Sequence, residues 1–156
     1  MSDTTSGIPL QISTLLKEPK QDWKELLAAI LKLYDCTTGT LHFLDNNSLL
    51  QLEAQIGIPD FLIPKLTTIP IGKGMAGIAA ERMKPVEMCN LQTDNSGVAR
   101  PSAKDTKVEG SLAAPLILNG KLYGTIGIAK PVPYDFTKEE MNSLMTIGEA
   151  ISEKIS

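Results

Sequence analysis

The sequence contains little cysteine and histidine. Among its 156 residues there are two cysteines, Cys36 and Cys89, and a single histidine, His42. The cysteines lie far apart and neither belongs to a Cys-x-x-Cys motif, so a structural zinc site is not expected. In a cytoplasmic protein such a pair is more often two free thiols than a disulfide. A catalytic Cys–His pair stays open, although no local pattern supports one, and we expect neither a metal nor a cofactor.

The sequence also has no surplus of positive charge and no long apolar run. The net charge is −3 and the isoelectric point is about 5.2, which argues against nucleic acid as a partner. No apolar run approaches the roughly 18 residues that span a bilayer, so no membrane association is expected. Residues 1–7 are polar and do not have the pattern of a secretory signal. The expected location is the cytoplasm.

The length of 156 residues predicts one domain with a substantial core. We assign residues 1–19 to an N-terminal segment with a short helix and residues 20–156 to the domain proper. No residues remain for a second catalytic or DNA-binding domain, so this unit is expected to be the whole protein, acting in trans.

Amphipathic helices are predicted near both termini. Asp22 and Glu25 have the spacing of a capping box, and apolar residues follow at helical spacing. A second capping box, Thr137 with Glu140, begins a helix that continues to the end of the chain. The methionine-containing apolar stripe of that helix is typical of a core or of a dimer interface.

Two β-hairpins are predicted between these helices. Residues 40–44 and 49–56 flank a polar turn, and residues 111–118 and 121–130 flank Asn119-Gly120, a strong hairpin signal. Pro115 predicts an edge position or a bulge in its strand, because proline has no amide hydrogen to donate. The apolar residues predicted to share one face of the second strand are Leu50, Leu52, Ala54 and Ile56.

A glycine-rich stretch at residues 71–77 connects a strand to a short helix. Gly72 and Gly74 flank Lys73, and helix-compatible residues begin at Met75. Free amides at the helix start, next to a lysine, are suited to an anion. The alternative is a tight connection that only packs a small helix over a sheet. The spacing matches neither the Walker A motif nor Gly-x-Gly-x-x-Gly.

A polar loop at residues 90–110 shows no clear period and is long for a compact domain. Such loops often bind ligands, although a solvated surface loop remains the alternative. Arg100 is the sharpest candidate, because its planar guanidinium suits a carboxylate or a similar oxyanion. The further candidates in this loop are Ser96, Ser102 and Lys104, and those of the glycine-rich stretch are Lys73, Gly74 and Met75.

The order of these features resembles the GAF domain family of small-molecule sensory modules. The resemblance covers roughly residues 20–154, and its motifs lie at residues 38–45, 71–77, 109–116 and 120–128, followed by 136–140. It implies an α+β, PAS-like fold: a central antiparallel sheet has the N- and C-terminal helices on one face and a ligand pocket under loops and short helices on the other. It also implies frequent homodimerisation through the terminal helices.

Subfamily signatures narrow the function that the resemblance implies. The motif of cyclic-nucleotide-binding members is absent, and neither Cys36 nor Cys89 precedes histidine, as the bilin-attaching cysteine usually does. Free methionine-(R)-sulfoxide reductases carry a cysteine where this chain has Met75-Ala76 and another in the long loop. We therefore expect no enzyme but a sensory module that binds a small polar or anionic molecule and signals to a separate protein. The alternatives are a protein–protein or dimerisation module without a ligand and, less favoured, a reductase.

Overall fold

The computed structural model of the chain describes residues 7–94, 96, 98 and 104–156. The helices are α1 Leu10–Lys17, α2 Trp23–Leu33, α3 Ile63–Leu66, α4 Gly74–Arg82 and α5 Lys138–Ile155. The strands are β1 Thr38–Leu44, β2 Leu49–Ile56, β3 Thr68–Pro70, β4 Val86–Met88, β5 Ser111–Leu118 and β6 Lys121–Ala129. Short 3₁₀ turns occur at Asp60–Leu62 and Leu91–Thr93.

The strands form a six-stranded antiparallel sheet in the order β3-β2-β1-β6-β5-β4. Both predicted hairpins, β1–β2 and β5–β6, are present. Asn119 and Gly120 have φ of 52° and 76°, the left-handed values that a tight hairpin turn needs. β4 pairs only with the first part of β5, up to Ala113, so Pro115 lies beyond the reach of that neighbour and next to a register shift at Leu116.

The terminal helices cover one face of the sheet. α2 packs over β1 and β2, α5 packs over β5 and β6, and α1 lies against α2 and α5. Both long helices begin at the predicted caps: Asp22 accepts the amide of Glu25 at 3.1 Å, and Thr137 forms a reciprocal capping box with Glu140. The fully buried side chains of this core include Leu27, Ile30, Leu41, Leu116, Ile126, Ile128, Leu144 and Ile151.

α4 covers part of the opposite face and packs through small residues. Ala79 contacts Val86 and Ala113, and Ala80 contacts Leu50 and Ile69. The start of α4 comes close to the preceding strand, because a Cβ on Gly77 would lie 2.5 Å from the carbonyl oxygen of Pro70. Only glycine is compatible with that approach.

The prediction for β2 was wrong in one respect. Its apolar residues do not share one face, because the pairing with β1 shifts by one residue between Leu41 and His42. Leu50 therefore packs under α4, whereas Ala54 packs against the terminal helices. A bulge transfers the later residues of a strand to the opposite face, and hydrophobic alternation alone does not reveal it.

Candidate functional site

A cavity of about 140 Å³ lies between the sheet and the start of α4. Its floor is formed by the centre of the sheet, where the side chains are small. The register places Thr40 opposite Gly127, Ala113 opposite Gly127 on the other side, and Ser111 opposite Ala129. These positions carry only small side chains, so they do not fill the space between the sheet and α4. The small size of the floor residues therefore explains why a cavity is present.

Apolar side chains make up most of the cavity wall. Ile58 and Leu66 come from the segment between β2 and β3, and Leu91 and Val108 come from the two ends of the loop between β4 and β5. Thr38 and Thr40 contribute hydroxyl-bearing side chains to the lining. A molecule that fits this cavity has an apolar body and few polar atoms.

The start of α4 forms one side of the cavity. Lys73, Gly74, Met75 and Ala76 all line it. The first helical hydrogen bond is donated by the amide of Gly77 to the carbonyl of Lys73, at 3.1 Å, so the amides immediately before it are left for solvent or a ligand. Lys73 is the N-cap and makes no side-chain cap. An acceptor or anionic group is favoured at this helix end.

His42 is a polar side chain buried in the cavity wall, with 1% of its surface exposed. Its Nε2 lies 2.7 Å from the carbonyl oxygen of Leu66, and because a carbonyl only accepts, Nε2 carries the proton. Burial lowers the pKa of the ring, so the imidazole is neutral at pH 7. His42 therefore fixes the position of Leu66, which also lines the cavity.

Two buried polar atoms next to each other have no partner among the described residues. They are Nδ1 of His42 and Oγ1 of Thr125, which face each other across β1 and β6. A hydroxyl can donate a hydrogen bond and an unprotonated Nδ1 can only accept one, so the two groups are chemically complementary.

Three of the seven predicted site residues, Lys73, Gly74 and Met75, line the cavity. Ser96 and Lys104 are not among the lining residues. The hydroxyl of Ser96 is 2.6 Å from a carboxylate oxygen of Asp94, and Nζ of Lys104 donates to the Asp94 carbonyl at 3.0 Å. Both residues thus brace the loop. Arg100 and Ser102 lie outside the described residues, so their role stays a prediction.

Sequence reasoning missed the floor of the cavity. His42 was considered as a possible partner of a cysteine in a catalytic pair, and Thr40 and Gly127 were not singled out as candidates. A signal was present: Thr38, Thr40 and His42 alternate along a strand that lies in the middle of the sheet. Three polar residues on one face of a central strand are unusual, since central strands are buried on both sides.

The two thiols lie outside the cavity. Cys36 is half-buried, and burial raises its pKa to about 11 despite the nearby Lys130. Cys89 is exposed, and its pKa is raised mainly because its thiol is hydrogen-bonded to the carboxylate of Asp135. A raised pKa lowers the thiolate fraction, so neither cysteine has an activated thiol.

Within the ranges that the structure describes, no three His, Cys, Asp or Glu side chains are grouped so as to hold a metal ion. The described helices include none with the length and apolar character needed to cross a membrane.

Comparison with solved structures finds the same fold in sensory domains and in enzymes. The GAF domain of a phosphoenolpyruvate-protein phosphotransferase from Coxiella burnetii superposes with a TM-score of 0.81 at 22% identity, covering 99% of this chain and 95% of that one. A free methionine-R-sulfoxide reductase from Neisseria meningitidis, in complex with its substrate, gives a TM-score of 0.74 at 17% identity, covering 99% and 91%. At these identities the likeness extends to the fold only.

No curated protein sequence matches the chain significantly. The family model described as GAF domain matches residues 23–156, which include every element from α2 to α5. With this sequence match and the superposed folds, the chain belongs to the GAF domain family.

Proposed function

We propose that this GAF domain is a regulatory module that binds a small molecule in the cavity beneath α4 and passes the signal to a separate protein. The observation that carries the proposal is the cavity itself, enclosed by Thr40 and Gly127 on the floor and by Lys73 to Ala76 at the start of α4. A domain that acted only as a scaffold would have no need of small residues in the middle of its sheet. Filling that space would gain packing energy.

The lining defines the class of ligand. A volume of about 140 Å³ suits a compact molecule, comparable to a single ring or a short branched chain. The wall residues Ile58, Leu66 and Val108 favour an apolar body. Lys73 and the first amides of α4 favour an anionic or acceptor group at one end. A small carboxylic acid with an apolar body combines these properties.

A series of hydrogen bonds connects the cavity wall to the terminal helices and could carry a ligand-induced change between them. The amide of Leu91, in the cavity wall, donates to the carbonyl of Glu109 at 2.7 Å, and the amide of Glu109 donates to the carbonyl of Lys130 at 2.8 Å. The side chain of Lys130 in turn holds the end of α2. A ligand that binds better to one arrangement of this loop shifts the population toward it.

The test is a thermal-shift screen of small carboxylic acids, amino acids, oxoacids and inorganic anions, preceded by native mass spectrometry for a co-purifying mass. A true ligand stabilises the fold in proportion to the logarithm of its concentration, by about 2.7 kcal/mol at one hundred times its dissociation constant. Gly127→Val narrows the cavity, because even a Cβ there lies 3.1 Å from Thr40 Oγ1. This variant is expected to lose the response to the ligand.

Two variants separate loss of binding from loss of folding. Thr40→Val keeps the volume and removes only the floor hydroxyl, so it is expected to weaken binding without disturbing packing. Thr93→Val makes the same change at an exposed residue outside the cavity lining and is the matched control. If no compound of the panel stabilises the protein and no mass co-purifies, the alternative of a protein–protein module without a ligand is favoured.

An enzymatic role is a second candidate, because free methionine-R-sulfoxide reductases share the fold. Reduction of a sulfoxide by this route needs a thiolate at the substrate and a second thiol to resolve the sulfenic acid. Cys36 and Cys89 both lie outside the cavity lining, and Met75 and Ala76 occupy the helix start. The positions of the two cysteines therefore favour a binding function over a thiol-dependent reductase. The reductase would be favoured instead if the protein reduced free methionine sulfoxide and the Cys89→Ser variant lost that activity.

A further inference from the structure

Two side chains that line the cavity can carry a positive charge, and they differ in exposure. Lys73 is exposed at the start of α4, whereas His42 on β1 is 1% exposed. The described residues add no carboxylate to the lining. A buried anion is stable only when an opposite charge or several donors accompany it. His42 is the group that can supply such a charge from within the cavity wall.

His42 has one ring nitrogen available for a second proton. Nε2 already donates to the Leu66 carbonyl at 2.7 Å, and a doubly protonated ring keeps this bond. Nδ1 has no partner among the described residues, and the same is true of the hydroxyl of Thr125, which faces His42 in the register of β1 and β6. Because a threonine hydroxyl can donate or accept, Thr125 suits Nδ1 both without and with a proton.

The surroundings of His42 do not hold the ring in its charged form when the cavity is empty. Burial lowers its pKa, the hydrogen bond to the Leu66 carbonyl partly opposes this, and neither cause is a charged side chain. Tyr123 of β6 packs in the core on the other face of the sheet, where α2 also lies. The charged residues on the elements packed around His42 are all exposed: Glu53 on β2, Asp60 and Lys65 between β2 and β3, Lys73, Glu81 and Arg82 at α4, and Lys121 on β6.

We propose that the cavity binds its anionic ligand together with one proton, which is taken up by Nδ1 of His42. This inference rests on the proposed small-molecule function and specifies how that site is regulated. The negative charge of a carboxylate in the cavity favours the imidazolium over the imidazole, so the ligand and the proton are bound as a neutral pair. Each strengthens the binding of the other by the same factor, because linkage between two sites is reciprocal.

Ligand affinity is therefore expected to rise as the pH falls. A ligand that raises the pKa of His42 takes up a proton on binding, and the affinity increases until the pH reaches the lowered pKa of the free protein. Simple carboxylic acids lose their own charge only near about pH 4–5. The range from pH 7.5 to pH 5.5 thus isolates the contribution of the histidine.

Titration calorimetry with simple carboxylates tests the coupling. The probes are formate, acetate, isobutyrate, isovalerate and benzoate, and isobutyramide and isovaleramide are neutral controls of matching shape. For a carboxylate that binds, the dissociation constant is expected to fall by about threefold to tenfold from pH 7.5 to pH 5.5, since one proton changes it by at most about tenfold per pH unit. The amides are expected to bind with little dependence on pH. Two buffers with different ionisation enthalpies measure the proton uptake itself.

The single histidine gives a direct readout of its own charge state. The ¹⁵N NMR shifts of the His42 ring, followed over pH, report its pKa in the free protein and in the presence of each probe. A bound carboxylate is expected to raise this pKa, and a bound amide is expected to leave it unchanged. A purely structural role of the histidine predicts no such difference.

Three variants assign the proton to His42. His42→Gln keeps an amide donor for the Leu66 carbonyl and takes up no proton, so the affinity is expected to lose its pH dependence. Thr125→Val removes the hydroxyl that accepts from a protonated Nδ1 and is expected to reduce the pH dependence. Thr125→Ser keeps a hydroxyl and is the matched control. Circular dichroism checks folding, and the Thr125 pair carries the test if His42→Gln does not fold.

Three results would overturn the proposal. A carboxylate that binds equally well at pH 7.5, 6.5 and 5.5 removes the proton coupling and leaves the small-molecule function standing. A pH dependence that persists in His42→Gln, or that is the same in Thr125→Val and Thr125→Ser, places the proton elsewhere. If none of the five carboxylates binds at any pH, the coupling is also rejected, while the small-molecule function is then decided by the amino acids, oxoacids and inorganic anions of the screen.

Discussion

Lys130 donates a hydrogen bond from Nζ to the carbonyl oxygen of Tyr34, at a distance of 2.6 Å, although the two residues are 96 positions apart. Nζ also lies 3.2 Å from the Asp35 carbonyl and 4.3 Å from the ring centre of Tyr134. The lysine is 8% exposed. It thus places a positive charge at the C-terminus of α2, where the helix dipole favours one.

Removal of this charge is expected to destabilise the fold. Lys130→Met keeps most of the apolar stem and removes the Nζ donor from the buried bond to the Tyr34 carbonyl and from the partly buried bond to the Asp35 carbonyl, a loss of about 1–3 kcal/mol in the free energy of unfolding. Urea unfolding measures it. Lys121→Met is the control, because Lys121 is exposed at the other end of the same hairpin strand and is expected to change stability by less than about 0.5 kcal/mol. Equal effects of the two substitutions would contradict the role given to Lys130.

The stability of the protein is expected to fall below pH 6.5 because of His42. Burial lowers the pKa of His42 in the folded state from its ordinary value of 6.5. Between the two values the unfolded chain binds more protons than the folded one, so protons favour unfolding. The stabilisation is complete above pH 6.5 and is lost progressively as the pH falls toward the folded pKa. Urea unfolding at pH 7.5, 6.5 and 5.5 measures the slope.

His42 is the only histidine, so the assignment can be checked with one substitution. His42→Leu is expected to be less stable at pH 7.5, because the Leu66 carbonyl loses its donor, and to show a smaller change between pH 6.5 and 5.5. A variant that keeps the full wild-type slope would place the titrating group elsewhere. The ¹⁵N NMR chemical shifts of the His42 ring in the wild-type protein are expected to show that the proton of the neutral ring is on Nε2.

The reactivity of Cys89 is expected to depend on Asp135. The hydrogen bond to this carboxylate is the main cause of the raised pKa of Cys89. Asp135→Asn removes the negative charge, so the thiolate fraction rises and alkylation by iodoacetamide at pH 8 is expected to become a few-fold faster. The rate is measured in a Cys36→Ser background. Asp60→Asn, an exposed carboxylate in another loop, is expected to leave the rate unchanged.

Arg100 is expected to contribute to ligand binding, on the sequence argument that its guanidinium suits an oxyanion. Once the screen has identified a ligand, Arg100→Ala is expected to abolish binding in titration calorimetry while the unfolding curve without ligand stays the same. Arg82→Ala removes an exposed arginine that does not line the cavity and is the control. Wild-type affinity in Arg100→Ala would exclude this residue from the site.

Most elements of the fold were predictable because their signals are local. The caps at Asp22 and Thr137 and the turn at Asn119-Gly120 each depend on residues within a few positions of one another, and the structure confirms all three. The motifs at residues 38–45, 71–77, 109–116 and 120–128 resemble those of the GAF family, and that resemblance implied helices on one face of the sheet and a pocket on the other. Three of the seven predicted site residues, Lys73, Gly74 and Met75, line the cavity, and their prediction also came from a local pattern, the glycine-rich stretch at residues 71–77.

Other features were decided only by tertiary structure. The one-residue shift opposite His42 turned Leu50 to the α4 face, and no alternation pattern shows such a shift. The cavity exists because Thr40 and Gly127, which are far apart in sequence, are neighbours in the sheet. Their small side chains therefore lie next to each other beneath α4.

The sequence by itself determined the elements and their order, since capping, turn formation and amphipathic spacing are properties of neighbouring residues. Only the tertiary structure decided which polar groups are buried together. His42 bonds Leu66 across 24 positions, and Lys130 bonds Tyr34 across 96. The energy of such a bond depends on how the sheet and helices exclude water around it, and that exclusion is a property of the assembled fold.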